Sequence, residues 1–81
     1  MPRYFFNVLW GGQKATDLEG QCVPDLDAAR EEAIVGVRDI AADSVRSGQP
    51  LDLGGRIEIA DADGKPLLIV SFREVLVIVG S

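Results

Sequence analysis

The sequence contains no histidine and only one cysteine, Cys22, among its 81 residues. Without histidine, the chain lacks the commonest general base, the usual serine-protease triad and most kinds of zinc site. A single thiol can form neither an internal disulfide nor a thiolate cluster, and it suits a reducing compartment. We therefore expect no metal or other cofactor. Any acid–base chemistry would depend on carboxylates, lysine or tyrosine.

Long apolar runs are also missing. No segment reaches the ~18 apolar residues of a membrane span, and the first residues, Met1 to Tyr4, lack the apolar core of a signal peptide. We therefore expect a cytoplasmic protein that does not enter a membrane.

Basic residues are few and scattered. Eight lysines and arginines face 13 acids, which gives a net charge of −5, and an acidic protein is repelled by nucleic-acid phosphates. Arg30, Arg38 and Arg46 recur every eight residues, so each is rotated by about 80° from the last on a helix and they line no single face. Nucleic-acid binding is therefore disfavoured, except in an oligomer whose assembly creates a basic surface.

The length and composition indicate one small globular domain over residues 1–81. The apolar fraction of 47% and the charged fraction of 26% are ordinary for a folded chain. A domain this short buries only about 60–65% of the surface that its unfolded chain exposes, so its core should be thin.

The first part of the chain predicts a hairpin. Tyr4 to Leu9 is rich in aromatic and branched residues, which favours a buried strand. Gly11 and Gly12 then predict a tight turn, because both glycines tolerate a positive φ. The returning strand, residues 15–23, is less regular, since Gly20 suggests a bulge or a second turn.

A helix over Leu26 to Ser47 is the clearest predicted element. Asp25 is placed to cap its N-terminus, and Gly48 followed by Pro50 should end it. A stripe of mostly small side chains recurs at helical spacing and predicts close packing on a sheet. The stripe comprises Leu26, Ala29, Ala33, Val37, Ile40, Ala41 and Ser44. Gly36 also suggests close backbone packing, whereas Val35 points away from the stripe and should be exposed.

A second hairpin is predicted after the helix. Residues 56–60 alternate, with Ile57 and Ile59 inward, and residues 61–65 form a turn before the strand Leu67–Val70. The turn resembles a calcium loop, but Ile59 and Val70 stand where an EF-hand needs oxygen ligands. Beyond Ser71 the chain could form a helical turn at residues 72–74 or continue as a strand through residues 75–79. The branched apolar run favours an extended segment.

These elements predict an α+β fold of two layers, in the order ββαββ. The helix would cross one face of a four-stranded antiparallel sheet. If the other face is also apolar, a second copy of the protein is the obvious cover.

Several short sequence blocks together span nearly the whole chain. They are residues 1–6, Asp17 with Gly20, residues 24–30, Glu58 and Ile59 with residues 61–64, and residues 72–74. In these blocks the chain resembles a known bacterial family of very short proteins, catalogued as a domain of unknown function. The resemblance implies a shared fold unit and brings no established activity with it. Members often carry histidine just after the aromatic pair, where this chain has Asn7, which counts against any mechanism based on an imidazole.

Asp17, Glu19 and Cys22 are the candidate reactive residues, and each has a structural alternative. On a strand, Asp17 and Glu19 would share a face and one pKa could be raised, although a solvated turn beside Gly20 is favoured. Cys22 has no neighbouring base to stabilise a thiolate, so a small buried side chain is favoured.

A candidate interaction patch combines Trp10, Phe72, Arg73, Glu74 and Val77. Aromatic residues and arginine are enriched at binding hot spots, although Phe72 could instead cover the core and Trp10 its edge. The run from Val75 to Val79 would aggregate as an unpaired edge, so we expect it to pair within the sheet or across a dimer interface.

The sequence therefore favours a non-enzymatic protein-interaction module that acts as a homodimer on an unidentified protein partner. One alternative is a nucleic-acid-binding regulator, by analogy with compact antitoxins. Another, ranked last, is an enzyme that uses Asp17 and Glu19.

Overall fold

The computed structural model describes residues 1–76, and their order of elements confirms the predicted α+β class. The predicted order ββαββ is elaborated at two places: the returning strand of the first hairpin is divided in two, and a short helix follows the last strand. The elements are β1 (Arg3–Trp10), β2 (Gln13–Ala15), β3 (Gln21–Cys22), α1 (Leu26–Ser47), β4 (Arg56–Ala60), β5 (Pro66–Ser71) and α2 (Phe72–Val75).

The sheet is open and antiparallel, with the order β2-β1-β4-β5. Strand β3 also pairs with β1, so β2 and β3 lie end to end along the same side of β1. Gly11 and Gly12 form the predicted turn between β1 and β2, with φ angles of 57° and 77° that suit the twist of a tight hairpin.

Helix α1 has the predicted bounds because both ends are capped. The carboxylate of Asp25 accepts a hydrogen bond from the amide of Ala28 at 2.8 Å, which satisfies an N–H group that has no partner within the helix. At the other end Gly48 adopts a left-handed φ of 71°, and its amide and that of Gln49 donate to the last carbonyls.

The core lies between α1 and one face of the sheet. Ala29, Ala33 and Val37 of the predicted stripe are buried, and Val35 is 49% exposed, as predicted. The small side chains bring the helix close to β4: a Cβ added to Gly36 would lie 3.3 Å from Cδ1 of Ile57. The residues buried with the stripe are Tyr4, Val23, Ile57, Ile59, Val70 and Phe72.

The turn between β4 and β5 is the predicted hairpin turn. Asp61 organises it, because its Oδ1 accepts hydrogen bonds from the amides of Asp63 and Lys65, each at 2.9 Å. Gly64 takes the left-handed position with a φ of 83°. The carboxylate of Asp61 is thus engaged by the backbone of its own loop.

The favoured extended reading of the segment after Ser71 is wrong as far as Val75, whereas Leu76 has an extended backbone. Residues 72–75 form α2, and a capping box fixes its start. The hydroxyl of Ser71 accepts from the amide of Glu74 at 3.1 Å, while the carboxylate of Glu74 accepts from the amide of Ser71 at 2.8 Å. The remaining part of the predicted segment, residues 77–79, lies outside the described residues.

Candidate functional site

Four of the five residues predicted as one interaction patch lie within the described part of the chain, and they differ in exposure. Phe72 is fully buried, so its reading as an exposed anchor is wrong and its alternative, a core position, is confirmed. Arg73 and Glu74 are exposed on α2, but the Glu74 carboxylate is engaged in the capping box. Trp10 lies on β1, two strands from the end of β5, and is 41% exposed. Val77 lies outside the described residues.

Asp17 occupies the gap between β2 and β3. Its Oδ2 accepts a hydrogen bond from the amide of Phe6 at 3.1 Å, and its Oδ1 accepts from the amides of Glu19 and Gly20 at 3.2 and 3.0 Å. Its own amide donates to Oδ1 of Asn7 at 2.9 Å. The side chain thus replaces a strand where the edge pairing of β1 is interrupted.

The pKa of Asp17 is lowered, in contrast to the raised value considered for a pair with Glu19. Burial of the carboxylate is the largest single effect and acts to raise the pKa. Hydrogen bonds from the amides of Gly20, Phe6 and Glu19, together with the charge of Arg3, outweigh it. An aspartate held ionised in this way is a weak base, so the geometry assigns Asp17 a structural role.

Cys22 is exposed, so the favoured reading as a small core residue is wrong. The neighbouring Val23 takes the inward position and is only 6% exposed. Successive side chains of an extended segment point to opposite sides, so burying Val23 turns Cys22 outward, opposite Arg3 of β1.

One face of the sheet is not covered by α1. Ile57 and Ile59 point to the helix, so Glu58 between them points to the other face, together with its cross-strand partners Asn7 and Ile69. By the same register, this open face carries Phe5, Asn7, Leu9, Lys14, Arg56, Glu58 and Ile69.

The loop that holds Asp17 covers part of the open face. Asn7 is only 7% exposed, and a Cβ added to Gly20 would lie 2.9 Å from the ring of Phe5. Ile69, by contrast, is 49% exposed. The face is therefore mixed in character instead of uniformly apolar. We call its uncovered part the exposed patch, which consists of Leu9, Lys14, Arg56, Glu58 and Ile69.

A hollow lies on the helix side of the sheet, between the tip of the first hairpin and the end of α1. It has a volume of about 560 Å³. Trp10, Ile40 and Leu51 supply apolar walls, and Asp43 and Asp52 supply carboxylates. The other lining residues are Gly11, Ser44, Ser47, Gln49 and Pro50.

A second hollow, of about 320 Å³, continues along α1 beside β1 and shares Ile40 with the first. Phe6, Val8 and Ile57 line its apolar side. Its carboxylates are Asp17, Glu32 and Asp39. We call the two hollows together the acidic trough, because acids line both and, among the described residues, no lysine or arginine lines either.

Local electrostatics keep the trough negative. The amides of Gly11 and Gly54 donate to the carboxylate of Asp52 at 2.9 and 2.8 Å, and these bonds lower its pKa. The negative end of the α1 dipole lies at the same end of the molecule. Asp43 forms an ion pair with Arg46 at 3.1 Å, but both side chains are more than 70% exposed, so the pair is weak.

Sequence reasoning did not single out the trough, although a signal for it was present. Glu32, Asp39 and Asp43 follow one another at spacings of seven and four residues, which places them on one side of a helix. The position of β1 beside that side of α1 depends on the fold, so the hollow itself could not be seen in the sequence.

Within residues 1–76, no group of three or more acidic or cysteine side chains is arranged to hold a metal ion. No helix in the same part of the chain is long and apolar enough to cross a membrane.

Comparison with protein families places this geometry in a known group. Residues 3–73 match the model of DUF6894, a domain of unknown function. The chain belongs to the DUF6894 family. The match confirms the resemblance to a domain of unknown function and shows that the DUF6894 unit includes the elements from β1 to β5. No curated protein and no solved structure matches the chain.

Proposed function

We propose that this DUF6894 protein is a non-enzymatic protein-interaction module that works as a homodimer, joined through the exposed patch. The observation that carries the proposal is the uncovered sheet face, on which Ile69 is 49% exposed. A single helix covers only one face of a sheet, and a second layer is the usual cover for the other.

The composition of the exposed patch suits pairing with a second copy. In a two-fold symmetric dimer the same patch of each copy meets that of the other, so the patch must be complementary to itself. Leu9 and Ile69 supply apolar contact, while Lys14 and Arg56 carry positive charge beside Glu58. Within one copy, Nζ of Lys14 lies 3.9 Å from Oε1 of Glu58. An ion pair between Lys14 of one copy and Glu58 of the other would therefore require little rearrangement.

The state of Asp17 supports a non-enzymatic role. Both of its carboxylate oxygens accept backbone hydrogen bonds and its pKa is lowered. General bases at neutral pH more often have raised carboxylate pKa values. The carboxylate of Asp17 is therefore engaged in holding the loop and is poorly suited to accept a proton from a substrate.

The oligomeric state tests the proposal. Sedimentation velocity of the wild-type protein at micromolar concentrations should show a dimer. The substitution Ile69→Lys places a charge in the apolar part of the patch and should give a monomer that is still folded by circular dichroism, with a Tm that no longer depends on protein concentration. Val45→Lys is the matched control, because Val45 is 79% exposed on α1 and its variant should remain a dimer.

Two results would contradict the proposal. A wild-type monomer at these concentrations would exclude the homodimer, and a dimer in Ile69→Lys would exclude the exposed patch. Electrophoretic mobility of mixed DNA and RNA fragments at low salt tests the alternative of a nucleic-acid-binding regulator. A retained complex would favour that alternative, because electrostatic binding is strongest at low salt.

A further inference from the structure

We propose that the acidic trough binds a basic, amphipathic segment of a partner protein. The trough lies on the helix side of the sheet, whereas the exposed patch lies on the opposite face, so this binding does not depend on the dimer. A protein that carries such a segment would be the partner of the proposed interaction module.

The charge of the trough identifies the partner's chemistry. Five carboxylates line it, from Asp17, Glu32, Asp39, Asp43 and Asp52, and no basic side chain of the described residues does so. Arg46 pairs with Asp43 on the exposed surface and the charge of Arg3 acts on Asp17, so the two basic side chains offset only part of the negative charge of the trough. Such a surface attracts a cationic segment and repels acidic ones.

A ligand of the trough needs apolar side chains as well as positive charge, because part of the trough surface is apolar. Trp10 remains 41% exposed beside Ile40 and Leu51, and the two hollows extend from the hairpin tip along α1. Apolar side chains of a bound segment would cover these residues. A guanidinium group over the indole ring would add a cation–π interaction close to Asp43 and Asp52.

Trp10 is the only tryptophan of the chain, so its fluorescence reports directly on the trough. The probe is a short, blocked peptide of alternating leucine and arginine, titrated at low salt. Its matched control is the same peptide with citrulline in place of arginine, which preserves shape and hydrogen bonding but removes the charge. We expect the citrulline peptide to bind at least about tenfold more weakly.

Two charge reversals on α1 separate a local site from general attraction. Asp39 lines the trough and Glu31 does not, both are exposed, and Asp39→Lys and Glu31→Lys change the net charge equally. Asp39→Lys should weaken binding of the arginine peptide at least about fivefold, and Glu31→Lys less than about twofold. Neither variant should change the oligomeric state of the protein in solution.

Equal affinity for the arginine and citrulline peptides would overturn the inference, because the charge of the trough would then contribute nothing. Equal weakening by the two reversals would overturn it as well, because binding would follow net charge alone. Either result would leave the homodimer intact, and a monomeric wild type that still binds the arginine peptide through Asp39 would refute only the dimer.

Discussion

At the scale of single residues, Asp17 shows how a side chain can complete a sheet. Its carboxylate accepts a hydrogen bond from the amide of Phe6. This N–H group faces the gap between β2 and β3, where neither strand pairs with β1. The second oxygen of Asp17 holds the amides of Glu19 and Gly20, which fixes the loop that crosses the gap. A buried amide left without a partner costs free energy, so this one carboxylate stabilises both the edge and the loop.

Replacing Asp17 should reduce stability in a manner that depends on pH. Asp17→Ala should lower the free energy of unfolding at pH 7 by about 2 kcal/mol, because several charge-assisted hydrogen bonds are lost. The folded-state pKa lies below the ordinary value of 3.8, so the stabilisation is present above that value and is lost as the pH falls through the folded-state pKa. Urea unfolding of wild type and variant at a series of pH values measures the difference.

Glu19→Ala is the control for that series. Glu19 is exposed, so its truncation should change stability by less than about 0.5 kcal/mol at any pH. A loss as large as that of Asp17→Ala would instead indicate that the two carboxylates act as a pair.

Gly55 is a second position where one residue type is required. A Cβ added there would lie 2.6 and 2.7 Å from two ring carbons of Phe72, and Phe72 is fully buried. Gly55→Ala should therefore cost about 2 kcal/mol through overpacking, measured by thermal or urea unfolding. Unchanged stability would show that the ring can move, and Gly55→Ala combined with Phe72→Leu should recover part of the loss.

At the scale of elements, α1 could be predicted in full because its signals are local. Asp25, the stripe of small residues and Gly48 act within a few residues of the positions that they define. The hairpin turns at residues 11–12 and 61–65 were predictable for the same reason. Asp25→Ala should destabilise the protein by about 1 kcal/mol, as measured by urea unfolding, and Asp27→Asn, on an acid that makes no capping bond to α1, should cost less.

The start of α2 shows how two sequence signals can conflict. The branched run from Val75 to Val79 favours a strand, whereas Ser71 followed three residues later by Glu74 is the pattern of a capping box. The structure follows the capping box. It does so because the Phe72 side chain is buried and its amide bonds the carbonyl of Gly55 at 2.9 Å, contacts that only the tertiary fold supplies.

At the scale of the molecule, the distribution of surface charge separates the two proposed interfaces. Each copy carries a net charge of −5, so two copies repel each other at long range, while a basic segment is attracted to the trough. The trough depends on the packing of α1 beside β1, and the exposed patch depends on strand register. Neither surface depends on local sequence alone, so local sequence patterns could predict neither of them.

Salt should therefore affect the two interfaces in opposite directions. Raising the salt concentration from roughly 0.02 to 0.2 M screens exposed charges, so the dimer should become tighter while the arginine peptide dissociates more readily. Sedimentation velocity and Trp10 fluorescence measure the two effects on one sample series. If salt weakened both the dimer and the binding of the arginine peptide, opposite charges would contribute more to the dimer than apolar contacts do.

The interrupted strand beside β1 also limits how many copies can join edge to edge. Strand β2 has three residues and β3 has two, and the loop with Asp17 separates them. Short, broken edges of this kind resist the addition of a further strand. A further copy therefore cannot extend the sheet by pairing a strand along this edge, so continuous cross-β growth of the native sheet is blocked on this side.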